Sequence, residues 1–111
     1  MAKQAQVLKR IVALKRQSAE QRVRALQIEA EGIEAEIADI TRELAALDEV
    51  AAGIDAHVLA EQHGHARKLI ENRRAAEVRL AAKRREVREA HEALKRAFHS
   101  EERLSASGAK N

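Results

Sequence analysis

Apolar residues recur at alternating steps of four and three from Leu26 to Val58 without interruption. This 3.5-residue period keeps one stripe of an α-helix, here termed the seam, facing a partner helix along its whole length. The first half of the chain is therefore predicted to be one long helix that packs against another. Its seam consists of Leu26, Ala30, Ile33, Ile37, Ile40, Leu44, Leu47, Ala51, Ile54 and Val58.

The composition excludes most other architectures. Among 111 residues there is no proline and no cysteine, and Phe98 is the single aromatic residue. A globular core of this length would draw on aromatic and turn residues, so an all-α rod is favoured. No apolar run approaches the roughly 18 residues needed to span a bilayer, and no secretory signal is evident at the N-terminus. We expect a cytoplasmic protein that reaches a membrane only through partners.

Charge is distributed in three zones. Residues 1–24 carry seven Lys or Arg against one Glu, residues 25–64 carry ten acids against one Arg, and residues 65–104 carry twelve Lys or Arg against seven Glu. Folding the acidic zone onto the second basic zone neutralises both. The charge pattern therefore favours a hairpin.

The second half of the chain has a looser seam in which Leu80, Val87 and Leu94 recur every seven residues, extended by Phe98. If the chain reverses near residue 58, residues whose numbers add to about 116 or 117 face each other, and large side chains meet small ones, as close packing requires. The predicted pairs include Leu26 with Ala90, Ile40 with Ala76, Ile37 with Leu80, and Ala19 with Phe98.

These patterns predict an antiparallel coiled-coil hairpin, a single domain over residues 1–104. Helix 1 is expected over about residues 3–56, helix 2 over about 65–104, the turn between about 53 and 64, and a flexible tail over 105–111. In an alternative, Asp55 caps a helix that starts at Ala56, and Gly64 lies inside helix 2. A change of phase between Leu14 and Ala19 predicts a stutter in the coiled coil.

Helix 1 is predicted to project beyond helix 2 at its N-terminal end, where apolar and basic residues occur together. An apolar stripe without an intramolecular partner is typical of a protein-binding surface, although a frayed end or contact between copies is the plainer interpretation. The candidate protein-binding residues are Val7, Leu8, Lys9, Arg10, Ile11, Val12, Lys15 and Arg16 of helix 1, with Lys95 and Arg96 of helix 2.

No catalytic, cofactor-binding or metal-binding residues are predicted. His57, His63 and His65 cluster near the turn, but their spacing makes them diverge on a helix and no suitable further ligand follows. No phosphate-binding loop or nucleophile motif is present. The basic residues around Arg84 and Arg85 lack the aromatic residues that stack on bases, so specific nucleic-acid binding is not expected.

The chain resembles the FliJ/YscO family of type III secretion systems over nearly its whole length. The resemblance is carried by Leu8, Ile11, Leu14, Lys15, Arg16, Ala19 and Glu20 at the start, by Arg84-Arg85-Glu86-Val87-Arg88-Glu89-Ala90, and by Leu94-Lys95-Arg96 and Glu101-Glu102-Arg103-Leu104. It implies a non-enzymatic stalk that sits in the hexameric export ATPase ring, engages the export gate and escorts secretion chaperones. It also implies a location at the cytoplasmic side of the inner-membrane export apparatus. In this role either the paired ends of the helices or the tip of the hairpin would contact the subunits of the ring.

A monomer is expected, because the two seams satisfy each other within one chain. The alternative function is a self-associating scaffold or adaptor in which the Leu26 to Val58 seam pairs between chains. A basic helical protein that binds nucleic acid is a further alternative, and its affinity would fall steeply with salt.

Overall fold

The computed structural model describes residues 2–50 and 55–109 of the chain. Two long α-helices, α1 (Ala2–Val50) and α2 (Ala56–Ala109), form an antiparallel hairpin, as the sequence predicts. The helices divide into two compact units: a terminal unit of residues 1–28 with 84–111, and a central unit of residues 29–83.

The buried stripe of α1 keeps the 3.5-residue period towards the N-terminus. After Leu26 and Val23 it continues through Ala19, Arg16 and Val12, all of them partly or fully buried. The predicted stutter is therefore wrong. The apolar residues that suggested it, Val7, Ile11 and Leu14, are exposed and lie on another face of the helix.

The seam of α2 follows the same period and includes polar residues at regular positions. Its partly or fully buried residues include Leu59, Gln62, Ala66, Leu69, Arg73, Ala76, Leu80, Lys83, Val87, Ala90, Leu94, Ala97, Glu101 and Leu104. Phe98 was predicted in this seam and is instead 43% exposed. Ala97 occupies the seam position, because steps of four and three from Leu94 lead to Ala97 and Glu101.

The terminal unit has a small apolar core. Val23, Leu26 and Ala90 are buried together, and the partly buried Val87 and Leu94 pack against them. The pairing of Leu26 with Ala90 agrees with the predicted register. Arg16 contacts Glu101, and these residue numbers add to 117, so the polar contact gives the same register.

The central unit packs small residues against larger ones. Ala76 is 0% exposed, and Leu69, Leu80 and Ala30 are also buried. Its cross-helix polar contacts join Glu36 to Arg79 and Glu29 to Lys83. Ile33, Ile37, Ile40, Leu44 and Leu47 of the predicted seam are all partly buried in this unit. Ala76 is fully enclosed by its neighbours, so a larger side chain at this position would have to displace them.

The ends of the helices differ from the prediction. Helix α2 begins at Ala56, and not near residue 65, because Asp55 is its N-cap: the backbone N–H of Val58 donates to Asp55 Oδ1 at 2.9 Å. A second hydrogen bond joins the Leu59 N–H to the Asp55 carbonyl oxygen at 3.0 Å. Gly64 consequently lies inside α2, as in the alternative interpretation, and Val58 belongs to α2 and not to helix 1. Gly53 falls outside the described residues.

The predicted end of helix 2 at residue 104 is also wrong, since α2 continues to Ala109. This added turn provides α2 residues opposite the start of α1. Leu8 and Val12 line one open groove with Leu104 and Ser107. One face of the start of α1 therefore lies beside α2, whereas the sequence predicts that this segment projects beyond helix 2.

Candidate protein-binding surface

The first helical turns of α1 carry an apolar strip that is separate from the seam. Val7 is 57% exposed, Ile11 44% and Leu14 56%. Their spacing of four and then three is again that of a coiled-coil interface, repeated on a second face of the helix. We term Val7, Ile11 and Leu14 the outer strip. Over residues 7–19, α1 thus carries two interleaved heptad patterns, of which one contacts α2.

Basic residues border the outer strip on both sides. In heptad terms Ile11 is an a position and Val7 and Leu14 are d positions, so Lys3 and Arg10 fall at g and Lys15 at e. All three are exposed, and none forms an ion pair with another residue in the described ranges. The outer strip therefore has a positively charged border that the terminal unit leaves uncompensated.

Arg16, one of the predicted protein-binding residues, contacts both helices within the chain. Its Nε donates to Glu101 Oε2 at 2.5 Å and its Nη1 to Glu20 Oε1 at 2.8 Å. The guanidinium carbon lies 5.7 Å from the centre of the Phe98 ring, within the range of a cation–π contact. The hydrogen bonds that Arg16 donates to Glu20, and secondly to Glu101, raise the pKa of Arg16 above its ordinary value. Arg16 therefore joins α1 to α2 and is engaged within the chain.

The other predicted binding residues lie in three places. Lys9, Arg10 and Lys15 are exposed on α1, and Lys95 and Arg96 are exposed on α2. Leu8 lines the groove but is 49% exposed, and Val12 belongs to the seam. Val7 and Ile11 thus belong to the outer strip, Arg10 and Lys15 to its border, Leu8 and Val12 to the groove, and Arg16 to the contact with α2. Lys9, Lys95 and Arg96 are exposed and belong to none of these groups.

Two exposed residues were missing from the predicted surface. Leu14 continues the spacing of Val7 and Ile11, so counting steps of four and three from Val7 would have found it. Phe98 is exposed beside Arg16, and the same counting from Leu94 would have moved it out of the seam. Reading both helices with strict 3.5-residue steps, polar positions included, gives the observed seams.

The described residues contain no cluster of three or more His, Cys, Asp or Glu side chains with the geometry of a metal site. Near the start of α2, His57 Nε2 lies 3.4 Å from Glu61 Oε1, which is an ordinary contact between successive helical turns. Within the same ranges, neither helix contains a segment apolar enough for its length to cross a bilayer.

The fold and the surface together define a two-helix coiled-coil hairpin with an apolar, basic-bordered strip on one unit. Comparison with protein-family models, with curated proteins and with solved structures finds no match to this chain.

Proposed function

We propose that this chain is a non-enzymatic stalk and escort protein of a type III secretion export apparatus. In this role it binds the hexameric export ATPase and couples it to the export gate and to secretion chaperones. It would act in the cytoplasm, at the periphery of the inner-membrane export apparatus. The observation that carries the proposal is the outer strip with its basic border on one unit of an otherwise internally paired hairpin.

The hairpin suits this role on physical grounds. Two helices joined along a seam resist bending better than one helix, and a stiff pair can bias the conformations of the subunits around it. The FliJ/YscO resemblance adds the identity of the partners, since that family pairs such rods with a hexameric ATPase. The resemblance rests on the start of α1 and the second half of α2, which together supply the terminal unit.

Copurification with the cognate export ATPase tests the proposal. We expect the chain to bind the ATPase and to change its rate of turnover, and Ile11→Glu to abolish both effects. Val78→Glu is the matched control, because Val78 is 71% exposed on α2 in the central unit. Absence of binding and of any change in turnover for the unaltered chain would reject the stalk role.

A self-associating scaffold, in which the Leu26 to Val58 seam pairs between chains, is the second candidate, because the 3.5-residue period of the seam also suits pairing between copies. Light scattering of the purified chain separates the two. A monomer agrees with the stalk, whereas a stable dimer or tetramer supports the scaffold.

A further inference from the structure

The terminal unit carries a net positive charge that its two helices do not balance. It contains fourteen Lys or Arg and six Glu, whereas the central unit contains seven Lys or Arg and twelve Asp or Glu. In the central unit the acidic stretch of α1 forms ion pairs with basic residues of α2, as in Glu36 with Arg79. The terminal unit pairs two basic stretches, so part of its charge is available to an external partner.

The outer strip has the residue pattern of a coiled-coil interface without an occupant. Its core positions are Val7, Ile11 and Leu14, and Ser18 follows at the next a position. The e and g positions that border residues 3–22 contain no acidic residue. They are Lys3, Leu8, Arg10, Lys15, Gln17 and Arg22.

From this pattern we propose that the outer strip binds an amphipathic helix of a different protein, with apolar a and d positions and acidic e and g positions. In a coiled coil the e and g side chains of one helix lie beside those of its partner and set partner choice by charge. Acidic flanks would neutralise Arg10 and Lys15 while the apolar faces cover Ile11 and its neighbours.

A second copy of this chain fits the outer strip poorly. If two outer strips pair, Arg10 and Lys15 of one copy face basic residues of the other, which is unfavourable in either orientation. The acidic stretch of α1 in the central unit supplies negative charge but no matching apolar strip. In residues 29–49 and 55–107 the large apolar side chains that are well exposed are Val58, Val78 and Phe98, all on α2.

This inference deepens the proposed function and rests on it, because it gives the chemistry of the partner at the same surface. Its test uses synthetic peptides and no export component, so the two proposals can fail separately. One peptide has Leu at a and d and Glu at e and g. The matched peptide has Lys in place of each Glu. Binding of each labelled peptide to the full chain is followed by fluorescence anisotropy.

We expect the acidic peptide to bind at least about tenfold more tightly than the basic peptide. Ile11→Asp should weaken that binding about tenfold or more, because a charge would be buried in the interface. The double variant Arg10→Glu with Lys15→Glu should reverse the preference between the two peptides. Arg67→Glu with Lys68→Glu, an equal change of charge at exposed positions of the central unit, should leave it intact.

Circular dichroism of each variant establishes that the helices are retained. Equal binding of both peptides, or binding of neither, overturns the proposal. Vesicles of phosphatidylcholine and phosphatidylserine in equal parts provide the remaining arm. Sedimentation of the chain with these vesicles, without binding of the acidic peptide, also overturns the proposal and assigns the outer strip to an anionic lipid surface.

Discussion

The central unit places an acidic stretch of α1 beside a basic stretch of α2, whereas the terminal unit places two basic stretches side by side. Residues 29–50 carry eight acids against Arg42, and residues 56–83 carry six Lys or Arg against three Glu. In the terminal unit, seven Lys or Arg on α1 accompany six on α2. Both units use the same 3.5-residue seam, so they differ in their surface charge. In the central unit the charges of α1 and α2 are opposite and compensate each other, whereas in the terminal unit both helices are basic.

The units also differ in how they pack. The terminal unit has a cluster of branched side chains around Leu26, whereas the central unit has a fully buried alanine at Ala76. A thin two-helix interface buries little area at each level, so each of these positions carries a large share of the local stability. Five substitutions, taken from the largest expected effect to the smallest, test this contrast, and a sixth tests the pH dependence of the Arg16 contacts.

Leu26→Ala should lower the free energy of unfolding by about 3 kcal/mol, because it removes the most buried large side chain of the terminal cluster. Urea unfolding followed by circular dichroism measures the effect. Ile28→Ala is the control: Ile28 is exposed two residues away, and its change should stay within about 0.5 kcal/mol. Similar losses in the two variants would contradict the described seam.

Ala76→Leu should lower the free energy of unfolding by about 2 kcal/mol, because the central unit has no space for a larger side chain at this level. Ala82→Leu introduces the same group at an exposed position of the same helix and should be close to neutral. Thermal unfolding compares them. A stable Ala76→Leu variant would mean that the helices of the central unit are further apart than described.

Asp55→Ala should destabilise the chain by about 1 kcal/mol, because the N–H of Val58 loses its side-chain acceptor. Asp55→Asn retains an oxygen that can accept this hydrogen bond, so most of the stability should return. The midpoint of urea unfolding measures both variants. If Asn and Ala are equally harmful, the effect comes from charge and not from the cap.

Gly64→Ala should raise the free energy of unfolding by about 0.5 to 1 kcal/mol. Gly64 lies within α2, and a methyl group at this position meets no atom within 4 Å apart from its chain neighbours and the helix backbone. Gly32→Ala makes the same change within α1 and should have a similar effect. Calorimetry detects the gain as a higher melting temperature, and a loss in either variant would indicate that the helix does not continue through that glycine.

Glu101→Gln should lower the unfolding midpoint by less than Asp55→Ala, yet by more than Glu36→Gln. Arg16, which donates to Glu101, has a side chain that is 23% exposed, whereas Arg79, which donates to Glu36, is 53% exposed. The more exposed ion pair is the more weakly stabilising one. Urea unfolding at low and high salt measures the difference, which should shrink as salt is added. If Glu101→Gln and Glu36→Gln lower the midpoint equally at low salt, the difference in exposure between the two ion pairs has no effect on stability.

The pH dependence of the Arg16 contribution has a definite sign. Its pKa is raised in the folded chain, so its stabilising effect is complete below the ordinary pKa of arginine and is lost only in strongly alkaline solution. Replacement of Arg16 by Met should therefore change the unfolding midpoint by a constant amount between neutral and mildly alkaline pH.

The seam of α1, the antiparallel pairing and the approximate register follow from the spacing of apolar residues. Leu26 and Ala90 meet as predicted because packing large against small leaves few other alignments. The prediction for Phe98 is wrong because a step of four from Leu94 leads to Phe98, whereas the 3.5-residue series takes a step of three there, to Ala97. The predicted stutter is wrong because Val7, Ile11 and Leu14 form a wholly apolar series, whereas the observed seam passes through Arg16.

The sequence by itself determined that this chain forms two long paired helices, because apolar side chains spaced every 3.5 residues are removed from water when two helices pack along that stripe. Only the tertiary structure decided which of two competing apolar stripes at the start of α1 faces α2. Both stripes have the required spacing, and the choice depends on the seam that continues from Val23 and on where Glu101 can reach Arg16. That choice leaves Ile11 and its neighbours exposed, and with them the surface on which the proposed functions depend.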